Sequence, residues 1–225
     1  MIEKTLLRQW LKTRAYLTIF DIPKIENFGA RFFHNTKPLY HSYEMLLKGG
    51  EEFADARSDC PKINRNTDDK LILQSGEKKI IELSCRDMQD LLVGIIDIQE
   101  KVLPLGTVVE LNKEFIARKI PQILEVDSIR IVITHRFLSY INNVYYPYAG
   151  VIYPLGMLGR AEFIHFSYGM INDVVYEGFS DESETEYVIA MKKELVIGRQ
   201  MHSAGFASQD EFRYLTKILG GHKDE

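Results

Sequence analysis

The side chains in this sequence best suited to chemistry are two histidines, His135 and His165, each in a short apolar run that predicts a β-strand. Within one sheet, the two imidazoles could meet across neighbouring strands. A zinc site requires three or four ligands and supporting groups around them. Two strand histidines are an incomplete set, so we interpret them as hydrogen-bonded or exposed side chains and predict no metal site.

Motifs for nucleophilic, metal-dependent or phosphate chemistry are missing from the sequence, which has no G-x-S-x-G, H-E-x-x-H or G-x-x-x-x-G-K-[ST]. The turn from Gly156 to Gly159 lacks the lysine and the following helix that would cradle a phosphate. Asp181, Ser183 and Thr185 alternate as in a calcium loop, but the central glycine and the distal glutamate are missing at the required spacing. We therefore predict no catalytic residues, no cofactor and no enzyme activity.

A run of tyrosines is the remaining candidate for recognition chemistry. Tyrosines can stack on nucleic-acid bases, but alternation within a strand places them in a core or at a protein interface more often. Tyrosine is also enriched among the residues that dominate protein–protein binding energy. The run comprises Tyr140, Tyr145, Tyr146, Tyr148 and Tyr153.

Composition favours a soluble globular protein in a reducing compartment. The chain has 225 residues, 45% of them hydrophobic and 27% charged, which is enough for one large domain or two small ones. The net charge of −4 argues against binding to phosphate backbones or membrane surfaces. Cys60 and Cys85 form no C-x-x-C pair. With no signal peptide or transmembrane run, we expect a cytoplasmic protein without membrane insertion.

The first hundred residues are predicted to be mostly helical. Apolar periodicity predicts an amphipathic helix at the amino terminus, a second over 37–48 and a third over 85–101. The polar stretch over 51–69 is typical of a flexible loop. Apolar runs on both sides of Ser75 and Gly76 predict a hairpin.

The remainder of the chain is predicted to be a sheet followed by helices. Short β-rich runs separated by Pro and Gly predict one antiparallel sheet over 103–179, with a helical insertion over 112–122. Two amphipathic helices follow, joined around Gly205. The first turn of the first helix is acidic, and Ser208 and Glu211 form a capping box at the start of the second. The fold class is therefore α+β. The predicted domains are a helical N-terminal region with a hairpin over 1–102, the sheet domain over 103–182, and a C-terminal helical pair over 183–225 packed on the sheet domain.

Four segments of the sheet domain carry a resemblance to a known family. They are LPLGTVVEL (103–111), IRIVITHRF (129–137), YPYAGVIYPLG (146–156) and EFIHFSYGMINDVVYEGFSDE (162–182). In this order they resemble a family of unassigned function encoded beside type VII secretion genes and Leu-x-Gly polymorphic toxins in Gram-positive bacteria. The resemblance implies a cytoplasmic accessory role, as a chaperone or targeting factor for a secreted toxin.

The residues shared with that family are mostly glycines, prolines and strand hydrophobics, which specify a fold and supply no acids, bases or nucleophiles. Our leading hypothesis is therefore a non-enzymatic accessory protein that binds a type VII secreted toxin. One alternative is an immunity protein whose acidic run over 181–186 meets a basic groove of the toxin. Another is an enzyme whose site is assembled from scattered residues such as His135, His165 and Asp173.

We expect the partner to be a protein and not a nucleic acid. The predicted contact residues belong either to the tyrosine-rich strand or to the apolar face of the first C-terminal helix. They are Tyr146, Tyr148, Tyr153, Val188, Met191 and Leu195.

Overall fold

The computed structural model describes residues 2–48, 52–53, 61–113, 128–141, 143–157 and 163–220. The chain divides into two compact units. The N-terminal unit comprises Met1–Lys101 together with Lys192–Gly198, and the sheet unit comprises Val102–Met191 together with Arg199–Glu225. The fold contains helices and antiparallel sheets, which confirms the predicted α+β class. No helix within the described ranges is long and apolar enough to cross a membrane.

The first helices of the N-terminal unit are α1 (Ile2–Leu11), α2 (Ile22–Gly29) and α3 (Lys37–Leu47), with a 3-10 turn at Ala30–Phe32. α4 (Cys85–Gln99) follows the sheet of this unit. The α4 helix begins as predicted, because the Ser84 hydroxyl accepts the Asp87 backbone N–H at 3.1 Å. Trp10 packs against α4 at Gly94, where a Cβ would lie 1.8 Å from the indole ring. The sequence patterns did not predict α2, which is short and buries only Ile25, Phe28 and Gly29.

The sheet of the N-terminal unit consists of β1 (Glu52–Phe53), β2 (Lys62–Arg65), β3 (Leu71–Ser75) and β4 (Lys78–Leu83), paired antiparallel in that order. The predicted hairpin between β3 and β4 is confirmed. The prediction of a loop over 51–69 is wrong at β2. Ile63 is fully buried there and pairs with Leu73, so contacts with β3 outweigh the polar local sequence.

The sheet unit is built on a second sheet, with the strands β5 (Val108–Leu111), β6 (Ile129–Ile141), β7 (Val144–Ile152), β8 (Ile164–Phe166), β9 (Ile171–Tyr176) and β10 (His202–Ser203). The strand order is β10-β7-β6-β5-β9, and β8 also pairs with β7. All pairs are antiparallel except β10 with β7. The predicted antiparallel sheet over 103–179 is therefore confirmed, whereas the predicted helix over 112–122 lies almost entirely outside the described residues.

After the sheet come α5 (Glu182–Lys192), a π-helical segment (Lys193–Gly198) and α6 (Gln209–Gly220). α6 packs on its own unit through Leu215, which is fully buried in a cluster with Val144 and Tyr146. The predicted capping box at its start is confirmed, because the Glu211 carboxylate accepts the Ser208 backbone N–H at 2.8 Å.

The π-helical segment belongs to the N-terminal unit. Leu195 and Val196 are buried there. The Nζ of Lys192, at the end of α5, donates to the backbone carbonyls of Ile98 at 2.8 Å and Glu100 at 2.7 Å. A buried ammonium is thus compensated by carbonyls at the C-terminal end of α4, where a cation is favoured by the helix dipole.

Candidate functional site

A groove of about 630 Å³ opens in the sheet unit between β6 and the start of α5. We call it the β6–α5 groove. Its walls come from a turn before β5, from the middle of β6, and from the chain that leads into α5. The lining residues are Leu105, Thr134, His135, Arg136, Phe179, Asp181, Ser183, Glu184 and Tyr187.

The turn that carries Leu105 is held by a buried threonine. The Thr107 hydroxyl donates to the Pro104 carbonyl at 2.7 Å and accepts the Gly178 backbone N–H at 3.0 Å. A Cβ at Gly178 would lie 2.1 Å from the Leu105 carbonyl oxygen, so only glycine permits this approach of two backbones. The arrangement brings Leu105 and Phe179 to the groove from distant parts of the sequence.

The floor of the groove is a section of β6 that extends beyond its neighbour β5. β5 pairs with β6 as far as Val132. Ile133 then forms two backbone hydrogen bonds with the turn before β5, and the pairing on this side of β6 ends there. From His135 to Ile141, β6 pairs with β7 on one side, with register shifts at Thr134 and Tyr140, while the described residues place no strand on the other side. A strand edge of this kind presents unpaired backbone N–H and C=O groups.

A buried ion pair joins the floor to the α5 wall. The Arg136 guanidinium contacts both oxygens of the Glu184 carboxylate, with Nη2 to Oε2 at 3.0 Å, and its Nη1 reaches the Leu103 carbonyl at 3.4 Å. The side chains of Arg136 and Glu184 are only 5% and 19% exposed. The Tyr187 ring lies over the guanidinium, with its centroid 5.1 Å from Cζ. Such a two-pronged pair orients α5 on the sheet.

One donor of this arginine remains unsatisfied. The Nε of Arg136 is buried and has no hydrogen-bond partner among the described residues. A buried polar atom without a partner costs free energy, so it calls for an explanation.

The rim of the groove is acidic. The Asp181 carboxylate caps α5 by accepting the Glu184 backbone N–H at 2.9 Å. No lysine or arginine occurs in the sequence from 173 to 191. The acidic residues of this stretch are Asp173, Glu177, Asp181, Glu182, Glu184 and Glu186.

Apolar side chains project from the same rim. Phe179 is 82% exposed, and Leu105 and Tyr187 are about half exposed. The neighbouring edge strand β9 also exposes Val175 and Tyr176. Exposed apolar groups surrounded by polar ones are typical of sites where another molecule binds.

The two strand histidines do not form a site together. His135 and His165 pair with Ala149 from opposite sides, so β7 separates their strands. The His135 ring packs against Phe163 at 4.5 Å, and the His165 Nε2 lies 2.8 Å from the Tyr140 hydroxyl. Across the part of the chain that the structure describes, no group of three or more His, Cys, Asp or Glu could hold a metal ion.

The scattered residues of the enzyme alternative are also far apart. Asp173 lies on β9, where it pairs with Glu110 of β5. His165 on β8 is four strand positions away in the order β8-β7-β6-β5-β9, which corresponds to about 19 Å. The sheet therefore does not bring Asp173 and His165 together.

Three of the six predicted contact residues are interior. The Tyr148 ring is fully buried and its hydroxyl accepts the Leu103 backbone N–H at 2.9 Å. Tyr146 is buried between Tyr140 and His165, and burial raises the pKa of its hydroxyl. Leu195 is buried in the N-terminal unit. These side chains are core residues in this conformation.

The other three predicted contact residues are at least partly accessible. Tyr153 is about half exposed, whereas Val188 and Met191 are half-buried on α5. None of the three lines the β6–α5 groove.

Sequence reasoning missed Leu105, Arg136, Phe179 and Tyr187 as site residues. Two signals were present. Arg136 is a charged residue inside the apolar run IRIVITHRF, and Phe179 follows a glycine at the end of the last family-like segment.

A second depression, of about 420 Å³, lies in the N-terminal unit beside α2 and β4. We call it the α2–β4 groove. Its lining residues are Tyr16, Thr18, Asp21, Lys24, Lys79, Ile80, Ile81, Glu82 and Leu83. Between Thr18 and Asp21 the chain exposes Ile19 and Phe20, each 78% accessible.

Charges in the α2–β4 groove are paired locally. Lys24 lies 3.5 Å from Asp21, and the pKa of Asp21 is lowered by its hydrogen bond from the Thr18 hydroxyl. Tyr16 donates to Asp90 at 2.6 Å, and burial together with that carboxylate raises the pKa of the phenol.

Comparison with known proteins identifies one segment. Residues 102–187 match the family model of a domain of unknown function, DUF4176. The DUF4176 match covers less than half of the chain but includes every residue of the β6–α5 groove and none of the α2–β4 groove. The segment identified by resemblance lies inside it. The description of DUF4176 gives no function. No curated protein and no solved structure matches the chain.

Proposed function

We propose that this protein is a non-enzymatic accessory protein that binds a partner protein in the β6–α5 groove. The observation that carries the proposal is the groove itself: an acidic depression with exposed apolar residues, built entirely from the DUF4176 segment. By the sequence resemblance described above, we further propose that the partner is a type VII secreted toxin of the Leu-x-Gly class, bound in the cytoplasm before export.

The energetics of such a contact are favourable. Covering an exposed phenylalanine such as Phe179 contributes roughly 1.5–3 kcal/mol from apolar burial alone. Leu105 and Tyr187 lie on the same rim and add to the area that a partner can cover. The acidic rim favours encounter with a basic surface and adds specificity more than affinity.

The groove also supports a second candidate, an immunity protein that blocks a toxin domain. The observation in its favour is the continuous acidic stretch around α5, which is complementary to the basic clefts of enzymes that act on phosphate backbones. A chaperone and an immunity protein differ in the part of the toxin they bind.

The test is co-purification of the full chain with a Leu-x-Gly toxin divided into its N-terminal secretion region and its C-terminal toxic domain. We expect capture of the N-terminal region. Capture of the toxic domain alone would assign the immunity role, and binding to neither half would contradict the toxin as partner.

The surface is tested in the same assay with Phe179→Ser and Phe20→Ser. These phenylalanines are matched in exposure, at 82% and 78%, but only Phe179 lies on the β6–α5 groove. We expect Phe179→Ser to reduce capture and Phe20→Ser to leave it unchanged.

A further inference from the structure

We infer that the occupant of the β6–α5 groove is an extended segment of the partner, with lysines or arginines alternating with apolar residues, which adds as a strand to the free side of β6. This inference rests on the proposed function, since it specifies how the partner is held. Three features of the groove support it: the strand edge on its floor, the charge of its rim and the unsatisfied arginine.

The strand edge provides the main-chain recognition. β6 continues from Thr134 to Ile141 past the end of β5, and the described residues leave the side away from β7 without a strand. An added strand lies about 4.8 Å from its neighbour. The space between this edge and Tyr187 of α5 is the groove, so the groove is where an added strand would lie. Strand addition gives affinity through backbone bonds and specificity through alternate side chains.

The charge of the rim selects the side chains of the added segment. The charge of Glu184 is balanced by its ion pair with Arg136. Asp181 also lines the groove, and Glu182 and Glu186 lie close to it in the sequence. The stretch that contains these acidic residues has no lysine or arginine. A second copy of this chain would bring the same acidic stretch against itself, which like-charge repulsion disfavours. A segment with lysines or arginines is complementary, and its apolar residues can cover Phe179 and Leu105.

The unsatisfied arginine is the third feature of the groove. Arg136 lines the groove with a side chain only 5% exposed, and its Nε–H has no acceptor among the described residues. An added strand brings backbone carbonyl oxygens, the kind of acceptor this buried donor lacks.

The edge strand β9 is the alternative template for addition. Register shifts do not distinguish the two strands, because β9 has two against β5, and β6 has two against β7 at Thr134 and Tyr140. We assign the partner strand to β6 because its edge lines the groove together with Asp181 and Tyr187, whereas no residue of β9 lines the groove.

The test uses synthetic peptides with the full-length protein. The probe is a fluorescein-labelled octapeptide that alternates valine and lysine, measured by fluorescence anisotropy. Two control peptides are the valine–glutamate counterpart and the valine–lysine peptide with alternate backbone nitrogens methylated. We expect the valine–lysine peptide to bind and the valine–glutamate peptide to fail. Methylation should weaken binding about tenfold, because one or two backbone hydrogen bonds are lost.

Matched protein variants locate the site. Ser183→Lys places a cation in the groove and should weaken the valine–lysine peptide roughly fivefold. Thr67→Lys adds the same single positive charge at an exposed turn of the N-terminal unit and should leave binding unchanged. Amide chemical-shift changes on peptide addition should include Thr134 to Arg136.

Equal binding of the methylated peptide, or shift changes confined to β9 or to the N-terminal unit, would overturn strand addition to β6. Binding of the valine–glutamate peptide would overturn the charge assignment. If the toxin is captured through Phe179 while no peptide binds, the partner presents a folded surface and only the extended-segment inference fails. If neither the toxin nor the peptide binds, both proposals fail.

Discussion

The β6–α5 groove and the α2–β4 groove each have an exposed phenylalanine on or beside them, but they differ in how the charges of their linings are arranged. In the α2–β4 groove, Lys24 pairs with Asp21 and Lys79 pairs with Glu82, so the lining is close to neutral. In the β6–α5 groove, Arg136 forms an ion pair with Glu184, so the negative charge of Asp181 at the rim is not balanced by it.

An exposed aromatic residue does not by itself mark a binding site. Phe20 and Phe179 are about equally accessible. What distinguishes Phe179 is its setting: a strand edge without a neighbour among the described residues, an unbalanced acidic rim, and a place inside the DUF4176 segment.

The largest effect is expected from breaking the buried ion pair. Arg136→Ala leaves Glu184 without its partner in a site only 19% exposed, and should lower the free energy of unfolding by roughly 2–4 kcal/mol. Lys24→Ala removes a more exposed ion pair and should cost less than about 1 kcal/mol. Urea denaturation of both variants measures the difference. If the two variants lose similar amounts of unfolding free energy, the ion pair between Arg136 and Glu184 does not stabilise the groove.

An intermediate effect is expected at the turn that positions the rim. Gly178→Ala forces a methyl group against the Leu105 carbonyl and should cost about 1–3 kcal/mol while weakening partner binding. Gly76→Ala is the control in the N-terminal unit. Nothing lies within 4 Å of a Cβ there, so its cost is limited to the positive φ of 62° and binding should not change. Unchanged binding of the partner to Gly178→Ala would show that Leu105 and Phe179 are not part of the binding site.

The elements predicted from sequence were those specified by local patterns. The start of α4 follows from Ser84 and Asp87, the hairpin from Ser75 and Gly76, and the sheet from short apolar runs between turns. In contrast, β2 depends on pairing between Ile63 and Leu73, which a polar local sequence does not reveal.

The groove was not predictable because tertiary contacts assemble it. Leu105 and Phe179 become neighbours through the Thr107 and Gly178 contacts, which no periodicity indicates. Residue type alone also does not separate core residues from contact residues. Tyrosine is common both in cores and at interfaces, and the sheet places Tyr148 in the core.

The smallest effect on stability is expected at Asp181, which both caps α5 and carries a negative charge at the rim. Asp181→Ala removes the acceptor of the Glu184 N–H and should cost about 1 kcal/mol. Asp181→Asn keeps an acceptor oxygen and should stay within roughly 0.5 kcal/mol of the original protein. The two variants should therefore differ in their thermal unfolding temperatures. Both remove the same negative charge, so both should weaken the binding of a basic partner equally. Normal binding by Asp181→Asn would show that the acidic rim is not used.

We propose that the β6–α5 groove, and not the α2–β4 groove, holds the partner. Isothermal titration calorimetry with the captured toxin half gives the Kd of Phe179→Ser and of Phe20→Ser. We expect Phe179→Ser to weaken binding about thirtyfold, the effect of losing roughly 2 kcal/mol of contact, with Phe20→Ser unchanged. An unchanged Kd for Phe179→Ser would show that the partner does not bind in the β6–α5 groove, and a large loss for Phe20→Ser would place it beside the α2–β4 groove.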